Sequence, residues 1–254
     1  MTIASLKAKP VKIGLCVILC IVFLLIAVFT SKAQTVFFGY AVRKVPIYQV
    51  QTDEKLCALT FDAAWGADKT QGILDILKEK GVGGTFFLVG FWSEKYGDMI
   101  KKIDEQGIEI GTHSNTHPKM STLSESQIRK ELEISIKYIT DITGKSVKLF
   151  RPPFGDYNDR LINVAESMGL KTIQWNIDTL DWKGISAYEI NARVKQGLVP
   201  GSIILMHNNS DHVLDALPTM IDYILSNGYK IVNLSQMVYA DNYTIDNNGV
   251  QIKN

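Results

Sequence analysis

Two histidines four residues apart, His113 and His117 in the stretch THSNTHP, are half of the four histidines in the chain. They follow a short apolar run. Imidazoles placed at a strand end and in the turn beyond it can converge on one divalent ion. The spacing alone reads equally well as two ordinary loop histidines. Other chemistry-bearing residues occupy similar places. Asp62 closes the run LCALTFD, where a carboxylate suits general-base work on water or simply caps a turn. Arg151 opens RPPFG, and a guanidinium there can hold a carboxylate ionised and aimed. The two prolines stiffen that loop, and the next backbone N–H, that of Phe154, is a candidate oxyanion donor. Asp181-Trp182 and Leu205-Met206-His207 complete the set. A carboxylate beside His207 favours the imidazolium and makes it a competent general acid. Trp182 and Leu205 can wall a pocket for a small acyl methyl group.

Short apolar runs alternating with amphipathic stretches must position these groups. The strand candidates are LCALTFD, GTFFLVG, IEIGTH, KLFRP, KTIQWNI, SIILMH and YKIVNL. Helical spacing of apolar residues predicts helices over 70–80, 124–143, 159–168, 187–198 and 213–227. The second opens on Ser124 with Gln127 three residues later, a capping box. Strands separated by helices argue for a parallel α/β architecture. Asp62, His113, Arg151 and His207 then all end strands. A (β/α) barrel of seven or eight strands gathers such ends at one face. A doubly wound sheet would do so at a switch point, usually with a glycine-rich phosphate loop. Neither GxGxxG nor GxxxxGK[ST] occurs, which favours the distorted barrel.

The 254 residues are 46% hydrophobic and 21% charged, ordinary for a globular body. A net charge of +1 gives no bulk attraction to nucleic acid. Of three cysteines, only Cys57 lies in the body, inside LCALTF, and reads as a small buried residue. After Lys12 no charge occurs until Lys32, and Lys7, Lys9 and Lys12 precede the run. That pattern predicts a basic cytoplasmic N-terminus over 1–12 and a transmembrane signal anchor over 13–30. A cleaved signal peptide, cut after Ala33, is the competing reading. Either places the body outside the cytoplasm, with a stem over 31–53, a catalytic domain over 54–236 and a polar tail over 237–254. The Asn- and Asp-rich end from Asp241 is expected to lack fixed structure.

Taken in order, TFD at 60–62, HSNTH at 113–117, RPPF at 151–154, DTLDW at 178–182 and LMH at 205–207 resemble the five motifs of the polysaccharide deacetylases (NodB homology, carbohydrate esterase family four). The resemblance runs from about Pro46 to Leu234. It implies a distorted (β/α) barrel that removes acetyl groups from N-acetylated amino sugars. It implies Asp62 as base, Arg151 as its orienting partner, and His113 and His117 as ligands of a divalent metal, usually zinc. It implies the Phe154 N–H at the oxyanion, His207 as acid tuned by Asp181, and Trp182 and Leu205 around the acetyl group. The FDAAWG variant resembles the spore-associated branch, which implies a cell-wall glycan, peptidoglycan or spore cortex, as partner. One departure stands out. The family's first motif is normally TFDD, its second Asp being the third metal ligand, and Ala63 holds that position here. The following Gly-Pro is replaced by Ala64 and Trp65. A catalytically impaired glycan-binding protein on the same fold is therefore the alternative expectation.

Overall fold

The computed structural model describes residue 14, residues 17–24 and residues 43–254. These fall into two units, Met1–Val42 and Arg43–Asn254. In the first, residues 17–24 are helical and their apolar side chains are exposed. Among the described residues no helix is long and apolar enough to cross a membrane. Half of the expected anchor (13–30) and the first part of the stem, residues 31–42 of 31–53, lie outside the described residues.

The second unit opens with β1 (Gln49–Val50), β2 (Leu56–Ala63), α1 (Thr70–Lys80), β3 (Thr85–Leu88), α2 (Gly90–Lys95) and α3 (Gly97–Glu105). There follow β4 (Glu109–Thr112), α4 (Glu125–Thr143), β5 (Leu149–Phe150), α5 (Asp159–Ser167), β6 (Lys171–Thr172) and β7 (Ile177–Asp178). The chain continues with α6 (Ala187–Gly197), β8 (Ser202–His207), α7 (Val213–Ser226) and β9 (Lys230–Ile231), then β10 (Tyr243–Ile245) and β11 (Val250–Lys253).

All pairings that build the ring are parallel: β8 to β2, β2 to β3, β3 to β4, β4 to β5, β5 to β6 and β7 to β8. The run KTIQWNI, expected as one strand, is split. Its first half pairs with β5 and its second with β8. Between them Ile173 bridges to Ile47, whose N–H donates to the Thr172 carbonyl (2.9 Å) and whose carbonyl accepts from Gln174 N–H (2.7 Å). The ring closes through this break, giving a distorted (β/α) barrel.

Alternation along β2 decides what faces the inside. Ala58 packs with Phe87, Leu149, Ile173 and Ile203 in the barrel interior. Cys57, Leu59, Phe61 and Ala63 pack outward against the helix layer. Full burial of each Leu, Ile or Phe among them contributes about 1.5–3 kcal/mol. Asp62 therefore lies on the inward parity at the C-terminal mouth. Helix α4 starts as expected at the Ser124–Gln127 capping box and ends at Gly144, with Ile128, Leu132 and Ile139 buried. Helices α2 and α3 were not expected. Neither has a side-chain N-cap; α3 nevertheless carries Met99, Ile100 and Ile103 at helical spacing, a short signal that the longer apolar patterns overshadowed.

The polar tail is a correction. Residues 243–253 form an antiparallel hairpin, and β11 runs parallel to β1 with Gln49 opposite Val250. Composition misled because the stabilising contacts are polar. Asp246 Oδ1 accepts from Asn248 N–H (2.9 Å) and Val250 N–H (2.8 Å), shaping the turn. Gln251 is fully buried, and its amide pairs with both the N–H and the carbonyl of Tyr239. Asn248-Gly249 between two β-prone triplets is the local hairpin signal.

Candidate active site

Asp62 and His207 are register partners across the β2–β8 ladder, so both arrive side by side at the mouth. Arg151, fully buried, follows β5. Its Nη1 donates to Asp62 Oδ1 (2.8 Å) and its Nη2 to the Gln174 carbonyl (3.1 Å). Its guanidinium lies over the Phe87 ring at 4.3 Å. Burial alone would raise the Asp62 pKa, but the charge of Arg151, with His113 and His207, outweighs it and holds the carboxyl below its ordinary value. A buried Arg–Asp pair of this kind fixes the carboxylate in its ionised form.

His113, 3% exposed, donates from Nδ1 to the Arg151 carbonyl (2.7 Å), the tautomer that a carbonyl partner requires. Its Nε2 lies 3.5 Å from Asp62 Oδ2. Burial, followed by the repulsion of Arg151 and His207, lowers its pKa despite Asp62, so the imidazole is neutral. His117 stands ring to ring with it at 5.0 Å, and burial and His113 push its pKa down to about 4. The loop between them is built at a conformational cost. Ser114 (φ 70°) and His117 (φ 58°) are left-handed non-glycine residues, each costing about 1–3 kcal/mol. Glu131 of α4 holds this loop. Its Oε2 accepts from Asn115 N–H (2.9 Å) and Thr116 N–H (2.7 Å), and its Oε1 from the Thr116 hydroxyl (2.8 Å). Gly90 lets the start of α2 approach the loop: a Cβ there would lie 2.1 Å from Asn115 Oδ1.

The expected metal set is incomplete. Ala63 is fully buried against the helix layer, and its carbonyl accepts from Val89 N–H (3.1 Å). Among the described residues no three His, Cys, Asp or Glu side chains gather where they could hold a metal ion. Neither Asp178, whose Oδ1 accepts from Leu180 N–H (2.9 Å), nor Asp68 belongs to such a group. The donors present are two neutral imidazoles, beside a carboxylate already engaged by Arg151.

His207 has a different environment from His113. Asp181, 1% exposed, accepts from its Nδ1 (2.8 Å) and from its backbone N–H (2.8 Å). Burial would lower the His207 pKa, but the bond to Asp181 and its charge outweigh burial and raise it. Phe154 sits on the RPPFG loop with φ 61° and 63% exposed. Gln174 anchors that loop by donating to the Gly155 carbonyl (3.1 Å). Asp62, His113, His117, Phe154, Asp181 and His207 line one cleft of about 560 Å³, together with Trp182, Leu205, Trp65 and Asp178. Leu205 is buried and Trp182 is largely exposed. The arrangement can present a base, an acid and a backbone donor to one small acyl group.

Several positioning residues were invisible in the sequence. Glu131 and Gln174 act on loops in other elements. Asn208, fully buried, donates to the Gly66 carbonyl (2.9 Å), which also accepts from Trp92 Nε1 (2.6 Å). Cys57 is buried, and burial pushes its thiol up to about 12, which removes it as a nucleophile.

The family model described as polysaccharide deacetylase matches residues 49–173. A Bacillus cereus peptidoglycan-N-acetylglucosamine deacetylase is 34% identical over 71% of this chain and 67% of its own length. A Bacillus subtilis peptidoglycan-N-acetylmuramic acid deacetylase is 32% identical over 76% of this chain and 74% of its own. For other curated relatives the matched share falls to 40% of their length. Among solved structures, a Bacillus anthracis protein described as a CE4 family pseudoenzyme superposes with a TM-score of 0.74, at 36% identity over 78% of this chain and 69% of that one. A mutant of it, described as having restored enzymatic activity, matches at 38% identity with the same TM-score.

Proposed function

The chain belongs to the polysaccharide deacetylase family, and from that premise we propose that it removes acetyl groups from N-acetylated amino sugars of a cell-wall glycan, peptidoglycan or spore cortex. The observation that carries this reading is the pair Asp62 and His207, adjacent on one ladder and driven to opposite protonation states. Environments that separate two neighbouring pKa values assign the base and the acid. Asp62, held ionised by Arg151, takes a proton from the water that attacks the acetamide carbonyl. The Phe154 N–H faces the oxygen that gains charge. His207, as imidazolium, gives its proton to the nitrogen as the C–N bond breaks. Acetate and a free amine leave, and Asp181 keeps the acid oriented throughout. Trp182 and Leu205 enclose the acetyl methyl. The uncharged run between Lys12 and Lys32, after three lysines, supports a body exported and tethered at the cell membrane. Loss of the intact body from the membrane fraction after protease treatment of whole cells tests that placement.

Acetate release from chitooligosaccharide and from peptidoglycan, with and without added zinc, tests the activity. No release from either glycan with any divalent ion refutes it. Ala63 and the likeness to a pseudoenzyme favour a second reading, a glycan-binding protein without turnover. It predicts glycan binding that is indifferent to zinc, and acetate release only after Ala63→Asp.

A further inference from the structure

Trp65 stands where the first motif departs from the family pattern, two residues after Ala63, and has no part in the chemistry above. It is 59% exposed, and Phe91 beside it is 37% exposed. Rings continue from the cleft to the surface: Phe154 to His117 at 4.6 Å, His117 to Trp65 at 5.1 Å and Trp65 to Phe91 at 6.3 Å. Phe154, His117 and Trp65 line the cleft, whereas Phe91 lies beyond it. The row thus leads away from the reacting position.

Both outer rings are carried on braced backbone. The Gly66 carbonyl, next to Trp65, accepts from the buried Trp92 and Asn208 side chains at once. Phe91 N–H donates to the Asn115 carbonyl (3.2 Å) and Gly90 N–H to the Ser114 carbonyl (2.9 Å), tying the shelf to the histidine loop. A surface held in this way loses little freedom when a ligand settles on it. Aromatic faces carry negative charge density that attracts polarised C–H groups, and the C–H face of a pyranose offers them. The cleft lining includes Asp62, Asp178, Asp181 and Asp211 and no Lys or Arg, which suits a neutral sugar and not an anion.

We infer that Trp65 and Phe91 form a sugar-stacking shelf that seats the pyranose next to the acetamide-bearing one, so that the chain selects an oligomer over a monosaccharide. The inference deepens the glycan reading and rests on it. Calorimetric titration of the full-length chain in detergent with N-acetylglucosamine and with chitotetraose tests it. Trp65→Ala is expected to weaken chitotetraose binding at least tenfold and to leave the monosaccharide within twofold. Phe91→Ala is expected to weaken the tetramer threefold or more, and Trp65→Phe to retain most of the affinity. Circular dichroism checks folding, and Phe91→Ala carries the test if Trp65→Ala misfolds. Tetramer affinity unchanged within twofold in both alanine variants overturns the shelf. So does equal weakening of both ligands, or no tetramer binding by the native chain. Binding is read whether or not acetate is released. Trp65-dependent binding without turnover leaves the shelf standing and removes the deacetylase, while turnover with Trp65-independent binding does the reverse.

Discussion

Replacing Glu131 with alanine should loosen the loop that carries both site histidines, without touching either. The native carboxylate accepts two backbone N–H groups and one hydroxyl from residues 115 and 116. Hydrogen bonds to a buried charge contribute about 1.5–3 kcal/mol each, but these are partly exposed, so about 1 kcal/mol for each backbone bond is the better figure. Relaxation of the left-handed Ser114 and His117 offsets part of the loss, and the hydroxyl bond adds part back. The expected destabilisation is about 2 kcal/mol, which for a folded unit of this size lowers Tm by roughly 4–8 °C. Glu131→Gln keeps one acceptor oxygen for the amides and can donate to the Thr116 hydroxyl, so it should cost about 1 kcal/mol. Denaturant unfolding followed by circular dichroism measures both. Histidine ring signals in NMR report the site, and those of His113 and His117 should shift in the alanine variant while that of His207 stays. A Glu131→Ala protein within about 0.5 kcal/mol of native, the range of an ordinary surface change, would refute the assignment of Glu131 as the loop's anchor.

Three further outcomes follow from the site. Asp62→Ala strands the fully buried Arg151 and should cost about 3–5 kcal/mol in denaturant unfolding, well beyond Asp62→Asn, while both variants abolish acetate release. Acetate release should fall at high pH as His207 loses its proton through a raised pKa, and at low pH as Asp62 gains one through a lowered pKa. Asp181→Asn should move the alkaline limb of that profile to lower pH and leave the acid limb in place. Ala63→Asp puts a carboxylate into an apolar environment and should lower metal-free stability by about 3 kcal/mol. Zinc should then restore the Tm of the variant and leave that of the native chain nearly unmoved, as read by thermal unfolding beside metal analysis.

The barrel was legible because its strands are short apolar runs and its chemistry sits at their ends. Asp62, His113, Arg151 and His207 were found by that rule, and the structure brings all four to one mouth. The break in KTIQWNI was not legible, because both halves are equally apolar and only the closing partners, β5 and β8, separate them. Glu131, Gln174 and Asn208 were not legible for a related reason. Each is an ordinary polar residue whose value lies in a carbonyl or amide on another element. The hairpin of residues 243–253 was misread from composition, although Asn248-Gly249 marked its turn. Ala63 was read as a lost carboxylate from the family pattern alone. Its full burial against the helix layer, however, emerges only from the parity of β2.

The pairing of β1 with β11 has a consequence for the order of events in folding. Gln49 meets Val250 only after roughly two hundred residues of intervening chain have been laid down, a contact of the slowest, least local kind. Tyr239, whose hydroxyl donates to the Gln51 carbonyl, and the buried Gln251 belong to the same late closure. A chain translocated from its N-terminus would have β8 and Ile173 available to β1 on one side, but would hold its other edge open until the hairpin emerged. During that interval the seam at Ile47 and Ile173, which completes the ring, has one of its two flanking strands unsupported. Any chaperone or protease that meets the chain in that interval would find this one edge of β1 open.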